Sequence, residues 1–156
     1  MSGNYTGCVI YARDLIETAS LIDYLSDDPD RPVHWHRSSP DEIRKAYSPV
    51  KIRIALDGRD GFQKKKREDR YKRLSTLGSH PTPQSFILKQ DGTRRLNSGP
   101  LKHTELLRET IEEVAVAALL LGDLLVSFLN EFEFGTEISS PLSITLQKNK
   151  ELYFTP

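Results

Sequence analysis

One cysteine, Cys8, is all that a chain of 156 residues contains. A disulfide framework within the chain and a cysteine-based zinc site are therefore excluded. Net charge is missing too: 22 basic residues balance 22 acidic ones, so no global field draws the protein to nucleic acid or membrane. Long apolar runs are absent. The longest, VAVAALLLGDLLVSFL, is broken by Gly122 and Asp123 and falls short of the ~20 residues of a membrane span, so it reads as a buried core helix. The N-terminus, MSGNYTGCVIYARD, has no basic segment ahead of an apolar stretch, and no secretory signal is expected. A soluble, cytoplasmic chain is the resulting expectation. No internal repeat or low-complexity tract is present. With 37% hydrophobic and 28% charged residues, the chain is polar for a globule but not disordered in composition.

Helical periodicity dominates what is there. Val9, Ala12, Ile16, Ala19 and Ile22 recur at steps of three and four, predicting an amphipathic helix over 5–25. The prolines of SDDPDRP should stop it. A second helix is expected from SSPDEIRKAY, with Ser39 as N-cap, Pro40 in the first turn and Glu42 closing a capping box. Pro49 interrupts that helix or starts a new one, which should end at Gly58. A third is expected over 62–79, with Tyr71, Leu74, Leu77 and Gly78 on its core face. It must end by HPTP, because Pro81 cannot continue it. Thr104 should cap a last long helix reaching about Phe132, apolar almost all round from Val114 and hence central to the packing. Residues 84–103 read as a loop or hairpin excursion. The alternation in PLSITLQ makes 136–156 a tail with a short strand. The expected architecture is a mainly α, single-domain bundle of about four helices over 1–156, with a long central C-terminal helix and minor β elements.

Charge is segregated along the chain. Residues 64–73 carry seven basic residues against two acids, and 104–137 carry eight acids against Arg108. Lys64, Lys65, Lys66, Arg67 and Arg70 are candidate phosphate contacts, since clustered cations release counterions from a nucleic-acid backbone. The alternative is a pair of solvated faces that attract each other within the fold or across a dimer. Arg73 and His80 stand seven apart. RNA cleavage through the 2′-hydroxyl needs a group that titrates near neutrality and a fixed cation by the phosphate, which histidine and arginine supply without a metal. The structural alternative is that His80 satisfies carbonyls at the helix end. His34 and His36, on a loop around Trp35, would need further ligands to hold a metal, and no metal or cofactor is expected. Cys8 reads as core packing. Asp123, on the apolar helix, needs a partner, for which Arg13 is the candidate.

GNYTGCVIYARDLIE followed by YKRLSTLGSHP resembles the HEPN superfamily of helical domains, in particular a bacterial branch with R-x-x-x-E and Y-x-x-L-S-x-x-x-x-H-P motifs. The resemblance covers residues 3–83, with the helix after 104 as the closing element. It implies a metal-independent RNA endonuclease or RNA-binding component of a prokaryotic defence or toxin–antitoxin system, with its site assembled across a homodimer or beside a partner protein. On that reading Arg73 stabilises the phosphate, His80 is the acid or base, and Glu17 or Arg13 orients them. Leu74 stands where the family's pattern has a polar residue after its arginine, and Pro81 directly follows the histidine. The first helix starts almost at the beginning of the sequence, which suggests a shortened version or fragment. The alternative is a non-catalytic helical protein-interaction module.

Overall fold

The computed structural model describes residues 4–62, 66–78, 81–90, 93–96, 104–131 and 135–154. They form a mainly α fold of eight helical segments: α1 (Tyr5–Ser26), α2 (Asp30–Arg37), α3 (Pro40–Ala46), α4 (Pro49–Arg59), α5 (Lys66–Gly78), α6 (Pro83–Ile87), α7 (Thr104–Leu129) and α8 (Gly135–Phe154). No strand occurs among the described residues; a single antiparallel bridge joins Gln90 to Leu96.

α1 is the hub. Its most extensive contact is with α7, and it also packs against α5, α4 and α2. Ala12 and Ala19 of α1 and Ala117 of α7 are fully buried, and these small side chains let the two long helices approach closely. The apolar core is in two clusters. Tyr5, Val9, Leu74 and Leu88 form one, with Ile16 against it. Leu25, Tyr47, Ile52 and Leu56 form the other, with Leu21 and Trp35 against it. α7 lies between α1 and α8, and α8 makes its one extensive contact with α7.

Local chemistry explains most boundaries. Asn4 caps α1 by accepting from the Gly7 N–H at 3.0 Å. At α3 the capping box forms: Ser39 accepts from the Glu42 N–H, and Glu42 Oε2 accepts from the Ser39 N–H at 2.8 Å. α4 starts at Pro49, as an N-terminal proline should. It runs past Gly58 and stops at Gly61, whose φ is +69°. The Phe62 N–H bonds to the Asp57 carbonyl at 2.8 Å and Gly61 N–H to that of Gly58. This is a Schellman closure, which needs a residue free to adopt left-handed backbone.

Three sequence expectations are corrected. The segment DRPVHWHR is not a loop but helix α2; Pro29 precedes it and Pro32 lies in its first turn, where no N–H is required. Residues 83–87, at the start of the expected loop or hairpin excursion, are helical, with Thr82 and Ser85 capping each other reciprocally. The expected tail strand is helix α8, with Pro141 inside it. Leu146 of that helix is buried against α7 at Gly122, whereas Ile144 is 59% exposed.

Candidate functional site

α5 meets α7 through charge. Leu74 is buried and Leu77 packs on the first core cluster, which fixes the helix's rotation and directs Arg70 and Arg73 towards α7. Glu113 of α7 receives both. Its Oε1 accepts from Arg70 Nε at 3.1 Å and Nη2 at 2.9 Å, and its Oε2 accepts from Arg73 Nη2 at 3.0 Å. The segregated basic and acidic stretches thus meet inside one chain. Gly78 lets α5 come close: a Cβ there would lie 3.1 Å from both Val9 and Ile10 side chains and 3.3 Å from the Ile10 backbone nitrogen.

Arg67 turns the other way. Its Nη1 donates to Asp57 Oδ1 at 2.8 Å and its Nη2 to Asp60. Asp60 also accepts from Arg59 Nε at 2.7 Å, while Arg59 Nη1 reaches Asp23 at 2.8 Å and Asp27 at 2.6 Å on α1. This network clamps the α4–α5 turn to the end of α1. The two arginines bonded to Asp60 hold its carboxyl down at about 2, and the same carboxylates push the Arg59 guanidinium up. No motif in the sequence announces it: Arg59 and Asp23 lie 36 residues apart. Lys66 is exposed, with its ammonium 5.1 Å from the Phe62 ring centroid. Of the predicted site residues, Lys64, Lys65 and His80 lie outside the described residues.

Arg13 and Glu17 project from α1. Arg13 donates to Asp14 Oδ1 through Nη2 at 3.0 Å and Nε at 3.3 Å. Glu17 lines a cleft of about 240 Å³ between α1, α4 and α5, together with Arg53 and Tyr71. Burial raises the Glu17 carboxyl above its ordinary range, against the opposing pull of the Arg13 and Arg53 charges. Arg53 is 8% exposed and its guanidinium lies 4.0 Å from the Tyr71 ring centroid. Its Nη1 is shielded and has no hydrogen-bond partner.

Other candidates resolve simply. Asp123 is half exposed and pairs with Lys150 Nζ at 2.8 Å on α8, in place of the Arg13 partnership expected. His34 Nδ1 bonds to the Tyr47 hydroxyl at 2.7 Å. His34 and His36, two apart on a helix, point to different sides, and no metal-ligating cluster occurs among the described residues. Cys8 is half-buried and lines an apolar groove of about 370 Å³ with Ile111, Val114 and Leu146. No described helix is long and apolar enough to cross a membrane. No protein-family model matches this chain, and neither a curated protein nor a solved structure matches it.

Proposed function

We propose that this chain is a non-catalytic, HEPN-like helical interaction module that associates with a second copy of itself through the α7–α8 side of the bundle. The observation that carries this reading is the apolar surface left there. Ile138, Ile144 and Leu152 of α8 are 59%, 59% and 76% exposed, and the groove beside Ile111 lies between α1, α7 and α8. Exposed apolar side chains beside an apolar groove suit an association surface. The HEPN resemblance adds the expectation of a homodimer. Against a nucleic-acid grip, Arg67, Arg70 and Arg73 each donate to carboxylates of their own chain, and each such pairing must be broken before a phosphate can replace it.

A second reading is the metal-independent endoribonuclease or RNA-binding component of a prokaryotic defence or toxin–antitoxin system. It is favoured by Arg73, whose side chain remains 60% exposed despite its bond to Glu113.

Sedimentation equilibrium tests the first reading. The chain should run as a dimer at micromolar concentration, and Ile144→Asp should shift it to the mass of one chain without loss of helicity. A monomer across that range, or a dimer indifferent to Ile144→Asp and Leu152→Asp, would refute it.

A further inference from the structure

α7 is apolar almost all round from Val114, a pattern that suits a helix with neighbours on every side. Its own chain supplies two extensive ones, α1 and α8. Ile111 and Leu120 are both exposed. At about 100° per residue their spacing puts them on opposite sides of α7, so the helix is bare on two flanks. α8 shows the converse. Its one extensive contact is with α7, and among its described side chains only Ser139 and Leu146 are buried. Leu146 fills a notch at Gly122, where a Cβ would collide with both of its methyl groups. Two polar contacts pin the helix further: Lys150 Nζ donates to Asp123 Oδ1 at 2.8 Å, and Ser139 Oγ to Asn130 Oδ1 at 2.6 Å. Ile138, Ile144 and Leu152 stay in water. An element with so little buried surface opens well below the stability of the whole fold.

We propose that two copies of the chain exchange α8, so that the Gly122 notch of each α7 receives the partner's Leu146. The inference rests on the self-association proposed above and names the element that carries it. The seat does not distinguish the chain's own α8 from its partner's. The notch, the ion pair to Asp123 and the hydrogen bond to Asn130 form in either arrangement. Exchange therefore keeps the contacts of the closed chain, which is why it is a low-cost route to a dimer. What it adds is the contact between copies. There the bare flanks of α7 and the exposed Ile138, Ile144 and Leu152 gain cover, and removing apolar surface from water drives the association. Because each copy gives one α8 and takes one, the assembly closes at two.

The test pairs Gly122→Val with Leu146→Ala on the full chain. Valine blocks the notch and alanine removes the side chain that fills it, so each variant alone should have a lowered Tm. Refolded together, exchanging chains form a mixed dimer. In it the blocked notch receives the shortened arm, and the intact notch receives the intact arm. The Tm of the mixture should exceed that of either variant by about 4 °C or more, the loss expected for a core cavity in a chain of this length. The double variant in one chain, where the two changes meet in either arrangement, should be similarly restored. On the wild-type protein, dimers mixed from isotope-labelled and unlabelled copies should show a filtered NOE between Gly122 Hα and the Leu146 methyl groups of different chains. That NOE decides the matter alone if either variant fails to fold. A monomer at every concentration would overturn both this inference and the association beneath it. A dimer without the NOE between chains, and with no gain on mixing, would overturn the exchange and leave the association standing.

Discussion

Replacing Glu113 with Gln removes one negative charge at the point where α5 and α7 are tied, and leaves the side chain's shape and one acceptor in place. The wild-type carboxylate is 21% exposed and takes three donors, two from Arg70 and one from Arg73. The Arg70 side chain is 32% exposed, so its pairing is only partly screened, and about 1 kcal/mol is a fair value for it. The Arg73 pairing is 60% open to water and adds about 0.3 kcal/mol at most. The loss on Glu113→Gln should therefore be about 1 kcal/mol, or roughly 2–4 °C in Tm for a chain of this length. Urea unfolding followed by circular dichroism measures it. The difference should shrink at high salt, because the pairing is electrostatic and reaches solvent. A double-mutant cycle with Arg70→Gln should return a coupling of about 0.5–1 kcal/mol. A cycle that closes at zero, or a variant as stable as wild type at low salt, would show that the arginines are not held by α7.

Four further outcomes follow from the packing and the charges. Gly78→Val should destabilise by about 1–3 kcal/mol in urea, since a Cβ already crowds Val9, Ile10 and the α1 backbone. Leu56→Ala, at a fully buried site, should cost about 2–5 kcal/mol by the same assay. The Asp60 carboxyl is held at about 2 against an ordinary 3.8, so its stabilisation is present above 3.8 and is lost as pH falls from there towards 2. Asp60→Asn should flatten that acid limb and lower stability at neutral pH. The Glu17 carboxyl is raised by burial, so its charge opposes folding once pH rises through the raised value. Glu17→Gln should be at least as stable as wild type at pH 7, with the advantage fading as pH falls from the raised value towards 4.5 and absent below it.

Where one local signal decided the outcome, the sequence was readable. Ser39 with Glu42, Pro49 at a helix start, and the apolar helix from Thr104 all appear where their residues direct. The tail was misread because Leu142, Ile144 and Leu146 alternate like a strand. Leu142 and Leu146, four apart, lie one helical turn from each other, and Leu146 buries against Gly122 while Ile144 is left in solvent. Tertiary packing, which the pattern does not encode, made the choice. α2 was missed because prolines at 29 and 32 suggested a stop, although a first turn tolerates them. The candidate site divides in the same way. The basic run was visible as charge, but its partners were not: Glu113 stands 40 residues from Arg73, and Asp57 and Asp60 lie across a turn. Arg53 gave no signal at all, since a lone arginine in VKIRIALDG looks like a solvated position until burial shows otherwise.

Whether the arginines serve the fold or an RNA substrate is decided by incubating the purified chain with single-stranded RNA in chelator, beside His80→Ala. With Arg67, Arg70 and Arg73 engaged by Asp57, Asp60 and Glu113, both proteins should leave the RNA intact. Products with cyclic phosphate ends from the wild-type chain, absent with His80→Ala, would contradict that and make the basic helix a catalytic surface.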